Sequence, residues 1–490
     1  MSFSPRNPVA LAGSLLGVLA LLELGPWQPG WLLFKANRLV LGDALTAFGA
    51  GPVWAGALLA LWALTAVLAV IPWRGRAWLI ALLVSGALVT ALLFVGSVAR
   101  ELTAGAPASA RVSLEGGVWL TLLACYVVVF GAANEVRPRL RVPLVAPGLI
   151  AAAVVVASGA LNELGLAREL ANQGGDFGAE LARHLALSGT SLFMAALIGV
   201  PAAIAAARSE SVARWVLPGA GLVQTLPSLA LFGLLVSPLA QLGRGLTVGA
   251  SVWIVVAGLV PLLAVMAWRR RRAGRRNEQG PATPFLRAVR ALLLAVQVAP
   301  GVLLAIILAV VVNGAVGALL GAGSAPAWPA WDVPLASVGV RGIGSAPALI
   351  ALTLYALLPI VRNTYTGLKG VPRAATEAGR GMGMSPRQLL LRVQLPLALL
   401  LIAEGLRAAA VLTIGTTTVA YLIGAGGLGV FIQRGIDQVV PDLVLLGAIP
   451  IIMLALLADG LLRVLGAVLT PRGVREPRPT EPLGLSQVSA

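Results

Sequence analysis

Charge is scarce in this 490-residue chain: Asp, Glu, Lys and Arg together make 11% of it, against 58% apolar residues. A soluble domain carries about 25% charged residues, so a water-facing globule is excluded. There is one cysteine, Cys125, set in an apolar run, and one histidine, His184. The first cannot form an intrachain disulfide and the second has no further histidine with which to build a metal site, so redox and metal chemistry are excluded as the working principle. Acidic residues are few as well: 19 against 36 Lys and Arg, a formal charge of +17. In a soluble chain that balance points to nucleic acid. Here the basic residues come as short clusters between long apolar runs, which is how charge orients membrane helices.

A helix needs roughly 20 apolar residues to cross the hydrocarbon core, and every backbone group inside lipid must be satisfied within the segment. Twelve runs qualify as candidate spans. The first five are Val9 to Leu24, Val53 to Pro72, Ala77 to Ala99, Val118 to Ala133 and Leu144 to Leu161. The other seven are Leu187 to Ala207, Trp215 to Val236, Leu246 to Trp268, Ala291 to Leu320, Ala346 to Val361, Leu397 to Ile423 and Leu443 to Leu469. The amino-terminal run resembles a signal peptide superficially but leads to no convincing cleavage site, and reads as the first span. The predicted fold is therefore an all-α polytopic membrane protein of about 12 spans. With both termini cytoplasmic, Arg74 and Arg76, Arg137 to Arg141, Arg208 and Arg214, Arg269 to Arg276, Lys369 to Arg392 and the basic tail share one side. The positive-inside rule selects that orientation. The opposite side receives the acid-containing stretch Asn162 to Arg183 and the Pro-, Gly- and Trp-rich stretch Ala322 to Val340. No internal duplication is visible.

The most informative stretch is a predicted cytoplasmic loop, Glu377-Ala-Gly-Arg-Gly-Met-Gly383, continuing through Ser385-Pro386-Arg387 to Val393-Gln394-Leu395-Pro396. Ser385-Pro386 reads as a helix start, and Leu389, Leu390 and Val393 recur at helical spacing, predicting a short amphipathic helix at the membrane surface. Glu377 taken singly is a solvated loop carboxylate.

In its spacing this stretch resembles the coupling motif of ABC-importer permeases: Glu-Ala-Ala, three residues, Gly, nine residues, then an aliphatic residue, any residue, Leu and Pro. Glu377, Ala378, Gly383, Val393, Leu395 and Pro396 stand in register, with Gly379 in place of the second Ala. The resemblance implies that the loop docks on a separate ATPase subunit. Gln224-Thr225-Leu226-Pro227-Ser228, the stretch from Ala351 to Gly367 and the glycine-rich Leu422 to Gly429 are similar to osmoprotectant permeases, which carry glycine betaine, choline, carnitine and related quaternary amines. The likeness covers roughly His184 to Val236 and Gly339 to Thr470. A subgroup of that family with long hydrophobic amino-terminal extensions looks similar.

On this basis the predicted domains are an amino-terminal hydrophobic extension over 1–165, a first part of the permease core over 184–236 and an inserted helical hairpin with a basic cytoplasmic tip over 237–340. A second part of the core over 341–470 carries the coupling loop, and 471–490 is a disordered tail. The implied partners are ABC ATPase subunits, an extracytoplasmic solute-binding protein, a second permease subunit giving a homodimer or heterodimer, and membrane lipid, with no nucleic acid. No Gly-rich loop ending in Lys-Ser or Lys-Thr occurs, so the chain is predicted not to be an enzyme and to bind no cofactor, ATP being held by the partner. Gly424, Gly426, Gly427 and Gly429 read as a turn that lets helices pack closely.

Polar residues within the predicted spans are the remaining candidates. Gln224, Thr225, Ser228, Asn363, Thr364, Tyr365, Thr413, Thr416 and Thr417 either line a polar translocation path or hydrogen-bond between helices. Glu404 with Arg407 and Asp459 with Arg463 stand at spacings that let opposite charges meet on one helix, either to hold an interface or to serve transport. From Arg341 onward there are only Tyr355, Tyr365, Tyr421 and Phe431 and no Trp, a poor stock for an aromatic cage around a quaternary ammonium, which assigns tight recognition to a separate binding protein. The rival functions are an ion-coupled secondary transporter, with Glu404 or Asp459 as the coupling carboxylate, and a membrane transferase, for which no acidic or metal-binding cluster is visible.

Overall fold

The structure is a computed structural model describing residues 6–22, 29–37, 40, 42–107, 109–258, 284–322 and 331–469, without the side chains of 284–299. The basic tip Arg269 to Arg276, the tail from 471 and part of Ala322 to Val340 lie outside the described residues. The chain divides into two compact units, one of Met1–Gly174 with Ile432–Leu446, the other of Gly175–Phe431 with Gly447–Ala490.

The first unit contains α1 (Pro8–Leu19), β1 (Leu32–Lys35), β2 (Asp43–Leu45), α2 (Ala47–Ala50), α3 (Pro52–Val70), α4 (Arg76–Thr103), β3 (Arg111–Leu114), α5 (Gly116–Asn134), α6 (Pro138–Ala157) and α7 (Gly165–Asn172). Helix α1 packs on α3 and α5. The contact is close because a Cβ at Gly17 would lie 2.3 Å from the Trp62 ring, so only glycine fits. Helix α1 has 12 residues. That is roughly 18 Å of rise, short of the ~30 Å hydrocarbon core, which corrects the reading of Val9 to Leu24 as one full span.

A three-stranded antiparallel sheet in the order β2-β1-β3 was not foreseen from an all-helical reading. Its strands are three or four residues long, too short to show alternation beside the long apolar runs. Leu32 pairs with Leu114 and Phe34 with Val112, and Leu32 and Val112 are buried. At one end of the unit, Arg76 holds Glu135 through Nε at 2.9 Å and Nη2 at 2.8 Å, while Asn7 donates to the same carboxylate at 2.6 Å. The starts of α1 and α4 and the end of α5 are thereby tied together.

The second unit contains α8 (Gly174–Arg208), α9 (Glu210–Thr225), α10 (Ser228–Gly245), α11 (Val248–Gly258), α12 (Pro284–Leu319), α13 (Ser345–Lys369), α14 (Arg373–Gly381), α15 (Pro386–Leu389), α16 (Leu395–Thr417), α17 (Gly429–Asp437) and α18 (Pro441–Leu469). The first turns of α18 and most of α17 belong to the first unit's segment. The main packing is of α13 on α16, where Gly405 accepts Asn363 so closely that an added Cβ would lie 2.8 Å from the Asn363 Cβ.

All twelve apolar runs carry helix. Among the described residues nine helices are long and apolar enough to cross a bilayer; a tenth run, α9 with α10, is bent by 104°, and α1 and α11 are shorter apolar helices. The bend falls at Leu226-Pro227, because proline disfavours helical geometry in the residue before it.

Candidate functional site: the coupling segment and the broken helix

The predicted coupling loop is an ordered helix-turn-helix. Helix α14 runs from Arg373 to Gly381 and carries Glu377, Ala378 and Gly379. It closes in a Schellman motif: Met384 N–H donates to Gly379 O at 3.1 Å and Gly383 N–H to Arg380 O at 2.9 Å. That closure needs a residue in the left-handed region, and Gly383 takes φ +77°. No atom crowds its Cβ position. The motif glycine is therefore required by backbone conformation and not by space.

Beyond it, Ser385 caps the next helix: its hydroxyl accepts from Gln388 N–H at 3.3 Å, and Gln388 Oε1 accepts from Ser385 N–H at 2.8 Å. This is a full capping box with Pro386 in the first turn, at the helix start read from the sequence. The short separate helix expected there is instead continuous with the following span, running Pro386–Ile423. Residues Leu390–Gln394 form a π turn in which Leu395 N–H reaches Leu390 O. Pro396 explains the widening, since its ring would clash with the Arg392 carbonyl in α geometry and it has no N–H to donate.

The segment is seated on a small apolar core. Gly379 is buried, and a Cβ there would stand 2.7 Å from Leu389 Cδ1 and 3.7 Å from Val393 Cγ2. Beneath lie Leu368, Val371, Ala398 and Ile402, with Ile204 of α8 and Leu395 packed against them. Arg208, at the end of α8, donates to Pro386 O at 3.2 Å. The opposite face carries Glu377, Ala378, Arg380, Met382 and Gly383, all exposed. The motif residues thus divide into those that fasten the segment (Gly379, Gly383, Val393, Leu395, Pro396) and those it presents (Glu377, Ala378).

The polar candidates within the spans have individual partners. Gln224 Nε2 donates to Tyr355 O at 3.0 Å, and Tyr355 Oη donates to Leu226 O at the break between α9 and α10. Both bonds follow from proline. Pro359 lacks the N–H that would serve the carbonyl four residues back, which is that of Tyr355, and Gln224 supplies the donor. Tyr355 in turn serves a carbonyl at the bend. Thr225 donates to Leu222 O at 2.7 Å, and Ser228 opens α10. Asn363 Nδ2 donates to Pro359 O at 2.8 Å, and Thr364 is buried with its hydroxyl unbonded among the described residues. Tyr365 lies under Lys369, whose Nζ is 5.9 Å from the ring centre. Thr413, Thr416 and Thr417 donate to Ala409, Leu412 and Thr413 carbonyls of their own helix at 2.6, 2.9 and 2.7 Å, not across to another helix.

Two features were missed by the sequence reading. The Gln224–Tyr355–Leu226 relay was signalled by Pro359 standing four residues after Tyr355. The two charged pairs are also one structure: Arg407 binds Glu404 at 2.9 Å and Asp459 at 2.9 Å, and Asp459 binds Arg463 at 2.9 Å. Each pair was legible by spacing, but the link across α16 and α18 was not. The glycine-rich turn places Gly424, Gly426 and Gly427 at positive φ, with Gly427 N–H donating to Glu180 Oε2 at 2.5 Å.

Residues 283–469 match the family described as binding-protein-dependent transport system inner membrane component, and 7–167 match the ABC transporter permease YehY, N-terminal domain. Over these two stretches the chain is similar to binding-protein-dependent permeases. It is a multi-pass membrane protein. It is 49% identical over 137 residues to the carnitine transport permease protein OpuCB of Listeria monocytogenes, which is 28% of this chain and 63% of that one. It is 47% identical over 143 residues to the osmoprotectant import permease protein OsmW of Salmonella typhimurium (29% and 66%). With the choline transport system permease protein OpuBB of Bacillus subtilis it shares 41% over 138 residues (28% and 64%). The chain thus spans a little under two thirds of the length of these relatives. The family match begins at residue 283, inside the stretch 237–340 read from sequence as an insertion.

Proposed function

We propose that this chain is the membrane permease of an ATP-driven importer for a compatible solute, glycine betaine, choline, carnitine or a related quaternary amine. The observation that carries this reading is the coupling segment: an exposed Glu377–Ala378 face on a helix closed by Gly383 and seated on a core shared with α8, α13 and α16. Such a segment passes a push at the membrane surface to three spans at once. The partners are ABC ATPase subunits at this face, an extracytoplasmic solute-binding protein at the other side, and a second permease subunit. Both termini lie in the cytoplasm in this arrangement. The solute passes near the α9–α10 break, where Gln224, Thr225 and Ser228 stand, with Asn363, Thr364, Tyr365, Thr413, Thr416 and Thr417 as further candidates for the polar path. Relatives of similar sequence named for carnitine, choline and osmoprotectants support the solute class.

The test is co-purification of the chain with its ATPase. Glu377→Arg should abolish association while leaving the thermal stability of the permease unchanged, because Glu377 is exposed. Normal association of that variant contradicts the docking role.

A further inference from the structure

Within the first unit, α4 and α6 leave a groove of about 450 Å³ between them, lined by Trp78, Gly86 and Val89 of α4 and by Pro143, Pro147 and Ala151 of α6. The helices meet where Ser85 faces Gly148, so closely that a Cβ on Gly148 would lie 2.4 Å from Ser85 Oγ. Both start at the same end of the unit, since Arg76 opens α4 and binds Glu135, which caps α5 just before α6 begins. They therefore run side by side in one direction. Only 17% of the α6 span is buried, so the groove opens on the side where the bilayer lies.

Length and charge together say what fills it. From Trp78 to Val89 the groove follows roughly 16 Å of helix, about half of the ~30 Å hydrocarbon core, which is the depth of one leaflet. Trp78 stands seven residues before Ser85, and Arg141 seven before Gly148, so the register puts Arg141 level with Trp78 at the mouth. Arg139 lies four residues before Pro143, on the groove side of α6. Arg74 and Arg137 precede the two helices, and all four arginines are exposed. The acid in this region is Glu135, and Arg76 already holds it at 2.8 Å. Among the described residues none of the four arginines is in an ion pair. The mouth calls for an anion and the groove for a chain of methylenes, and an anionic phospholipid joins the two. Basic clusters between spans bind such headgroups, and tryptophan favours the same interfacial level.

We infer that the groove between α4 and α6 holds one anionic phospholipid, an acyl chain lying along it and the phosphate paired with Arg139 and Arg141 at its mouth. The site belongs to the first unit, and its readout is lipid binding, so it stands or falls separately from the transport reading.

The experiment is mass spectrometry of the intact full-length chain in mild detergent, titrated with dioleoylphosphatidylglycerol or dioleoylphosphatidylcholine. The native chain should bind the first about tenfold more tightly than the second. Arg139→Gln combined with Arg141→Gln should remove that preference and leave phosphatidylcholine binding unchanged. Gly86→Leu should weaken binding of both lipids. A Cβ there meets nothing closer than Leu61 Cδ2 at 3.9 Å, so the larger side chain fills the groove without displacing a neighbour. Equal affinity for the two lipids, or a preference untouched by the arginine changes, overturns the proposal. So does undiminished lipid binding by Gly86→Leu: with unchanged oligomeric mass it puts the lipid outside the groove, and with altered mass it gives the groove to a protein partner. Should the arginine variant fail to fold, the native chain is titrated at raised salt. Phosphatidylglycerol binding should then weaken and phosphatidylcholine binding should not, and indifference of both to salt overturns the headgroup pairing.

Discussion

Gln224 donates its side-chain amide to the carbonyl of Tyr355 at 3.0 Å, the acceptor that Pro359 leaves without its helical partner. A polar side chain in an apolar span is thus accounted for by a proline on a neighbouring helix, and the pair predicts how the two positions depend on each other. Gln224→Leu should destabilise the protein by about 1 kcal/mol, the usual worth of such a bond within a membrane protein. Pro359→Ala restores the missing N–H. The cost of Gln224→Leu should therefore be smaller in the Pro359→Ala background, measured as a double-mutant cycle of thermal unfolding in detergent. Strict additivity would show that the amide does not serve that carbonyl.

Gly383 is needed for its φ of +77° and for nothing else, since no atom crowds its Cβ position. Gly383→Ala should cost about 1–2 kcal/mol through the left-handed conformation alone. Gly383→Asn should be milder, because asparagine enters that region more readily. ATPase association should follow the same order, Gly above Asn above Ala. Equal loss for Asn and Ala would point to a lost contact and not to a lost turn.

Gly379 departs from the family pattern, and its surroundings say what the departure involves. An alanine Cβ there would meet Leu389 Cδ1 at 2.7 Å, the end of a side chain that can rotate away. Gly379→Ala should be tolerated within about 1 kcal/mol, whereas Gly379→Leu should cost several through overpacking against Leu389 and Val393. Unfolding midpoints of the two variants check this; equal effects would mean that the helix is not held against the π turn.

In the first unit Ser113 Oγ donates to Asp442 Oδ2 at 2.6 Å, both groups being buried. Removing the donor with Ser113→Ala should destabilise the unit by about 1.5–3 kcal/mol, as expected for a hydrogen bond to a carboxylate. Ser113→Thr, which keeps the hydroxyl, should lose less. Limited proteolysis of the purified chain reports the difference.

The membrane architecture was legible because hydropathy over some twenty residues is a strong signal, and among the described residues nine of the helices are long and apolar enough to cross a bilayer. The breaks were harder. Pro227 ends α9, yet Pro201, Pro359 and Pro450 lie inside helices, and proline alone does not separate the two outcomes. The sheet escaped notice because four-residue strands leave little pattern. The coupling segment was legible in register but not in mechanism: its spacing named Gly383 and Pro396, while the turn at Gly383 and the π widening before Pro396 needed backbone geometry. The pairs Glu404–Arg407 and Asp459–Arg463 followed from helical spacing. Their joining through Arg407 depends on how α16 lies beside α18, which no local pattern encodes.

The central claim is ATP-driven import through an exposed coupling face, and uptake of labelled glycine betaine or choline into proteoliposomes tests it most directly. With the permease, its ATPase inside and its binding protein outside, uptake should require ATP and should be lost on Glu377→Arg. Uptake by the permease alone, driven by an ion gradient without ATP or partner proteins, would contradict it.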